Sequence, residues 1–206
     1  MKIDVRRLFA TPMASFLVPG ADGLCSDLKA RILARTKTEA GRQHSNLGGW
    51  QSGFDLADWG GPGIRQLLEI LIGTANQLTI GRDGQPISPA WKAVCWANVN
   101  QEGHGNEFHT HPGCFWSAVF YVDDGGIGGT ASLGGEFEVQ DPRGVAPAMY
   151  APHLTIKGPD GPSLGASELL RPRSGLMVIF PSWLSHGVRP YNGHQTRISI
   201  AFNLSL

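Results

Sequence analysis

Two segments of this 206-residue chain carry residues able to do metal chemistry. The run Asn106-Glu107-Phe108-His109-Thr110-His111-Pro112 places two histidines one residue apart. Side chains alternate across a strand, so His109 and His111 are expected on one side of it, where both imidazoles reach one ion. Far downstream, His186 follows Phe180-Pro181-Ser182-Trp183-Leu184-Ser185 at the rim of an apolar run. Three such ligands form a facial set that leaves positions open for substrate and oxygen. Glu107 is also expected on the face of His109, which makes Glu107 with His109 an alternative ligand pair. His-x-His spacing also occurs in plain cross-strand hydrogen bonding, so the spacing alone leaves both readings open.

Arg197 and Ser199 open the last apolar stretch, expected as a strand from Thr196 to Leu204. Alternation puts Arg197, Ser199, Ala201 and Asn203 on one face and Ile198, Ile200, Phe202 and Leu204 on the other. A buried guanidinium costs several kcal/mol unless an anion pairs with it. That anion is either an internal carboxylate or the carboxylate of a ligand.

These residues resemble the Fe(II)/2-oxoglutarate-dependent oxygenases, and more narrowly a group of bacterial and phage 2OG-Fe(II) oxygenases. The group's segments are matched here by Ser45-Asn46-Leu47-Gly48-Gly49-Trp50-Gln51-Ser52, His109-Thr110-His111-Pro112, Asp141-Pro142-Arg143 and Phe180-Pro181-Ser182-Trp183-Leu184-Ser185-His186. The resemblance spans nearly the whole chain and implies Fe(II) held by His109, His111 and His186, with 2-oxoglutarate as co-substrate. It implies that Arg197 binds the distal carboxylate of 2-oxoglutarate, with Ser199 adding a hydroxyl. On the strand after the ligand pair it points to Ser117, Phe120 or Tyr121 as a further contact, and Tyr121 is favoured because its hydroxyl can donate. The implied reaction oxidises a substrate, by hydroxylation, with release of succinate and CO2. One departure stands out: the related oxygenases carry a carboxylate where this chain has His111.

Composition bounds the rest. At 206 residues a single domain is the default, and 41% hydrophobic residues suffice for a sizeable core. Seventeen basic residues balance seventeen acidic ones, so charge makes no case for nucleic acid as a partner. Cys25, Cys95 and Cys114 are too few and too scattered for a disulfide framework and read as reduced thiols of a cytoplasmic protein. Cys114 lies close to His111, but its offset does not match a strand face. Asp4 and Pro12 interrupt the start, which does not read as a signal peptide, and no apolar run is long enough to span a membrane. The expected partner is a small molecule or a peptide, and a homodimer is compatible with the chain.

The elements that must position the site follow from periodicity. An edge strand is expected within Val5 to Val18, because Pro12 is confined to an edge. Ser26 to Thr38 reads as an amphipathic helix with Ser26 as a plausible N-cap, and Pro62 to Leu78 as a second helix with an apolar stripe of Leu67, Leu68, Leu71, Ile72 and Ala75. Trp50, in a loop, reads as a packing anchor. Strands are then expected over 91–100, 107–111, 115–122, 136–139, 167–170 and 176–180, before the last one. Asn98 and Asn100 share a face and either reach the site or satisfy loop backbone. The glycines at 125, 126, 128 and 129 read as a flexible turn, lacking the lysine of a phosphate loop. The proline-rich segment 141–162 is a candidate lid. His44, His104, His153 and His194 read as surface or core histidines.

The fold class is therefore α+β, mainly β: a double-stranded β-helix, or cupin-like jelly roll, with N-terminal helices packed on one sheet. Residues 1–90 form a helical buttress and 91–206 the jelly-roll core of one domain, 1–206. Two rivals remain. A cupin-type metalloenzyme that does not use 2-oxoglutarate is suggested by Gly175, Pro181 and His186. Against it stand Arg197 and the lack of an acid at Cys114, Phe115 or Trp116. A non-enzymatic jelly-roll binding protein would have to retain its histidines and Arg197 without using them.

Overall fold

The computed structural model describes residues 10–144, 153–154, 156–158, 161–163 and 167–206. In chain order the elements are β1 (Ala14–Leu17), α1 (Ala21–Arg35), β2 (Asn46–Leu47), β3 (Trp50–Gln51), α2 (Leu56–Trp59), α3 (Gly61–Leu78), β4 (Lys92–Asn100), β5 (Gly105–His109) and β6 (Trp116–Asp123). There follow β7 (Phe137–Gln140), β8 (Ile156–Gly158), β9 (Gly161–Ser163), β10 (Ser167–Leu170), β11 (Leu176–Pro181), β12 (His186–Val188) and β13 (Arg197–Ser205). One sheet runs β1-β11-β6-β13-β4-β3 and a second runs β10-β7-β12-β5-β2, with β8 and β9 pairing as a separate hairpin. This is the double-sheet architecture of a jelly roll.

The apolar run at 176–180 shows why both faces of the first sheet are covered. Met177 and Ile179 point into a core shared with α1 and α3, including Leu28, Ile32, Leu67 and Leu71. Val178 and Phe180 point the other way, against Tyr121, Phe137 and Val139 between the two sheets. A strand buried on both faces needs no polar alternation, and that is what the sequence shows. The expected stripe of α3 is buried at Leu67, Leu71 and Ala75, with Leu68 and Ile72 only partly covered.

Several boundaries differ from expectation. The first helix starts at Ala21, not at Ser26: the Ser26 hydroxyl bonds back to the Asp22 carbonyl, as serine does inside a helix, so it caps nothing. β1 begins two residues after Pro12 and takes an edge of the first sheet, and the expected strand's first residues, 5–9, lie outside the described residues. Residues 10–90 are more than a helical buttress, since β1, β2 and β3 each add a strand to one of the two sheets. The glycine turn is pinned. The amides of Gly125 and Gly126 bond the carboxylates of Asp123 and Asp124, and Ile127 is fully buried. Of the candidate lid, 141–162, residues 145–152, 155 and 159–160 lie outside the described residues.

Candidate active site

His109 ends β5 and His186 begins β12, and the two are directly opposed in the antiparallel pair. The pairing then shifts: His186 faces His109, but Val188 faces Asn106. One extra residue on β5 is a β-bulge, and a bulge breaks the two-residue alternation. Asn106 and His109 therefore both face the interior cavity, while Glu107 and Phe108 are both exposed. Gly187 sits at the bulge, where an added Cβ would stand 3.0 Å from the Asn106 carbonyl oxygen. The expectation that Glu107 shares the face of His109 fails for this reason.

His111 also departs from the strand picture, because β5 ends before it. A loop contact holds it instead. The His111 amide donates to the Ser182 carbonyl at 2.9 Å, the Ser182 amide to the Phe115 carbonyl at 3.1 Å, and the Ser182 hydroxyl to the Cys114 carbonyl. The turn after β5 is thus stitched to the turn between β11 and β12, which brings His111 beside His186.

The outcome is one cluster. The ligand atoms offered by His109, His111 and His186 all lie within 4.8 Å of one another, and no other described residue joins the group. Ring centroids are 4.4 Å apart for His109 and His186, 4.9 Å for His109 and His111, and 5.1 Å for His111 and His186. His186 is buried, with Phe180 and Phe137 packed on its ring at 4.6 and 5.4 Å. Its Nδ1 lies 2.8 Å from the Leu184 carbonyl, and Nδ1 of His109 lies 2.8 Å from the Glu107 carbonyl. A carbonyl only accepts, so each Nδ1 carries a proton, and Nε2 is the ring atom left to face a metal ion. Burial lowers the pKa of His186 to about 3 and of His111 to about 4. Both rings are therefore neutral near pH 7, which is the form that ligates metal.

The other half of the cavity comes from the first sheet. Arg197 to Ser205 pairs with Asn100 to Lys92 through nine consecutive residues without a shift. That unbroken ladder puts Arg197, Ser199, Ala201 and Asn203 on the cavity side, as alternation predicts. Arg197 is 1% exposed, and its η1 nitrogen donates to Oδ1 of Asn100 at 3.2 Å. Among the described residues no carboxylate forms an ion pair with it. Its Cζ lies 5.4 Å from the centroid of the Tyr121 ring, and Ser199 pairs with Tyr121 across the sheet. Among the described residues neither Arg197 Nε nor the Tyr121 hydroxyl has a hydrogen-bond partner. Burial pushes the Tyr121 phenol up to about 12, so it keeps its proton and can donate. Two buried donors left without an acceptor are costly unless one arrives. A carboxylate with two acceptor oxygens would satisfy both.

The cavity holds about 300 Å³ and is lined by all six residues expected at the site: His109, His111, His186, Tyr121, Arg197 and Ser199. Asn98 lines it too, and Asn100 supports Arg197 from behind. Trp50 is a packing residue, as expected, with its indole donating to the Glu39 carbonyl. Sequence reasoning missed His44, Gln51, Phe54, Trp96, Asn106 and Asn203, which also line the cavity. For Asn203 the signal was present, since it shares the face of Arg197. For His44 and Phe54, which flank the Ser45-to-Ser52 segment, no periodicity could supply one.

Both implied groups fit these residues. Three imidazoles converge within reach of one metal ion, and two buried donors without a hydrogen-bond partner among the described residues line the same cavity. The family model described as "Putative 2OG-Fe(II) oxygenase" matches residues 94–203. Among solved structures, the chain is similar to a Pseudomonas putida prolyl-4-hydroxylase (15% identity, TM-score 0.65, covering 95% of this chain and 92% of that one). A prolyl hydroxylase from Trichoplax adhaerens, solved with a hypoxia inducible factor peptide fragment, is similar at 11% identity and TM-score 0.63, over 94% and 83% of the two chains. HygX from Streptomyces hygroscopicus, solved with nickel and 2-oxoglutarate bound, is similar at 11% identity and TM-score 0.56, over 95% and 83%. No curated protein matches the sequence. At these identities the structures speak for the fold, a double-stranded β-helix. The family match covers more than half of the chain and includes every ligand candidate, and the chain accordingly belongs to the 2OG-Fe(II) oxygenases.

Proposed function

We propose that His109, His111 and His186 hold the Fe(II) ion and that Arg197, Tyr121 and Ser199 hold the distal carboxylate of 2-oxoglutarate, in an enzyme that hydroxylates a small molecule or a peptide. The observation that carries this reading is Arg197. It is buried, free of any ion pair among the described residues, and opens onto the same cavity as the three imidazoles. Iron and 2-oxoglutarate, when bound, would let dioxygen act as the oxidant, one oxygen atom entering the substrate and the other the succinate that forms with CO2 from 2-oxoglutarate. The protein's own part is placement. Arg197 receives a carboxylate through charge-assisted hydrogen bonds, the Tyr121 and Ser199 hydroxyls add donors, and Asn100 fixes the guanidinium plane. Phe137 and Phe180 keep water from the inner side of His186.

His111 in place of a carboxylate changes the charge of this site. Three neutral imidazoles leave Fe(II) with its full charge, which dianionic 2-oxoglutarate then balances to zero. A carboxylate ligand would leave one negative charge, so the three-histidine site is expected to have the higher iron potential. A cytoplasmic location goes with this reading, supported by the unpaired Cys25, Cys95 and Cys114. No helix of the described residues is long and apolar enough to cross a membrane.

Anaerobic visible absorption tests the assignment without knowledge of the substrate. A charge-transfer band that requires both Fe(II) and 2-oxoglutarate is the expected result. Iron binding with no band on adding 2-oxoglutarate would overturn the co-substrate half, and no iron binding would overturn the three-histidine half.

A further inference from the structure

The cavity has a second wall that neither the metal ligands nor the Arg197 end uses. A relay of rings leads outward from His111. Trp96 stands edge-on to His111 at 5.9 Å, Phe54 edge-on to Trp96 at 5.2 Å, and His44 is tilted against Phe54 at 5.5 Å. Exposure rises along the relay: Trp96 is 7% exposed, Phe54 is 44% exposed and His44 is exposed. An aromatic as open as Phe54 would gain from being covered, and here it lines the cavity rather than the outer surface. Carboxamides share the lining: Gln51, Asn98 and Asn203 stand on the same sheet as Trp96, and Asn106 comes from β5 in the second sheet. The Asn203 Oδ1 accepts from the Ser117 hydroxyl at 2.7 Å, which leaves its amide group to donate into the cavity. Apart from the histidines, the only charged residue in the lining among the described residues is Arg197.

This distribution selects by charge and shape. A cationic amine would enter the cavity without an acid to meet it, and a second carboxylate would compete for Arg197 alone, each at a large desolvation cost. An uncharged ring would lie against Trp96 and Phe54 and be aligned by amide-type hydrogen bonds from the carboxamides around them. Size agrees. About 300 Å³ is at the low end of ligand sites. Once a five-carbon diacid is seated, the remainder admits one group of side-chain size. Resting on the function proposed above, we infer that the substrate presents an uncharged ring, saturated or aromatic, flanked by amide-like groups, and that Trp96, Phe54 and His44 form the subsite that receives it.

Saturation-transfer NMR on the full chain loaded with Zn(II) and 2-oxoglutarate tests this. The probes are the N-acetyl, N-methylamide derivatives of proline and phenylalanine as ring donors, and those of lysine and glutamate as charged counterparts. The ring probes should show saturation through their ring protons, at least about fivefold stronger than the charged pair. Phe54→Ala should weaken ring-probe binding about tenfold, the loss expected for one aromatic contact plus its buried area, while the 2-oxoglutarate signal persists. Phe54 is half exposed, so this variant should fold. Equal or stronger binding of the charged probes, or ring binding indifferent to Phe54→Ala, would overturn the inference. Absence of the 2-oxoglutarate signal in the wild type would instead sink the co-substrate assignment, and the ring and charged probes, compared again on the metal-free chain, would still judge the wall. A hexapeptide carrying the ring separates the sources of this chemistry: tighter binding than the single residue marks a peptide substrate, equal binding a small molecule, and binding weaker than the charged probes contradicts the ring subsite.

Discussion

Arg197, Ser199, Ala201 and Asn203 stand on a strand paired residue for residue with β4 along its whole length, in a sheet backed by α1 and α3. His109 and His186 stand on strands of five and three residues that meet across a bulge, and His111 stands on no strand at all. The Arg197 side of the cavity is therefore fixed by a long ladder and a deep core. The histidine side is fixed by short pairings, three turn hydrogen bonds centred on Ser182, and rings packed on His186. The difference teaches where each half of the site gets its rigidity. The first half is held whether or not a ligand is present. The second half is closed by fewer contacts, and a bound ion adds to them directly.

The sharpest break of this contrast is His186→Ala. Fe(II) affinity should fall by more than about a hundredfold, beyond the 10–100-fold that a lost outer partner of a metal ligand costs. Circular dichroism should show the β-sheet intact, because β13, β4 and β6 do not depend on this ring. Metal analysis after gel filtration checks it, and a variant that kept full iron occupancy would remove His186 from the ligand set.

Arg197→Met breaks the other side in the opposite sense. Hydrogen bonds to a charged group contribute about 1.5–3 kcal/mol, so 2-oxoglutarate affinity should fall up to about a hundredfold while iron content stays. The ligand-free variant should nevertheless melt no lower than the wild type. It loses a buried guanidinium that no described carboxylate compensates, and it gains an apolar side chain of similar length. Scanning calorimetry with and without 2-oxoglutarate reads both effects. A marked loss of ligand-free stability would mean that Arg197 is a structural residue first.

Tyr121→Phe should act on the same side more weakly. The hydroxyl has no hydrogen-bond partner among the described residues, so its removal relieves a buried unsatisfied group worth about 1–3 kcal/mol and should raise ligand-free stability. On the proposed reading the same hydroxyl donates to the co-substrate, so affinity should drop about fivefold to tenfold, as for one neutral donor near 1 kcal/mol. Titration calorimetry decides, and unchanged affinity would take Tyr121 out of the co-substrate site.

The two sheets were not equally legible in the sequence. Alternation along 196–204 placed Arg197 and Ser199 in the cavity because β13 keeps one register with β4 for nine residues. Periodicity likewise found α3, β10 and the doubly buried run of β11. On the second sheet the histidines were found by residue type, and the reason given for their convergence was only partly right. A bulge is invisible to a two-residue rule, and the seat of His111 depends on Ser182, a residue remote in sequence. β2, β3 and β12 escaped notice because strands of two or three residues carry no period. His44 and Phe54 reach the cavity by tertiary placement alone.

Glu107 is where the bulge can be tested by an expected absence of effect. On an unbroken strand its carboxylate would share the side of His109 and compete to ligate the metal. With the bulge, Glu107 is exposed and offers the site only its backbone carbonyl, which accepts from Nδ1 of His109. Glu107→Gln keeps the backbone and the side-chain shape and removes only the charge. An exposed charge change of this kind should move stability by no more than about 0.5 kcal/mol, and Fe(II) affinity by less than about twofold. His111→Gln in parallel should weaken iron binding by an order of magnitude or more, since it replaces a gathered ligand with a poor one. If the two results came out reversed, the carboxylate would be on the metal, the register between β5 and β12 would be regular, and the neutral charge argued for the iron–diacid complex would be wrong by one unit.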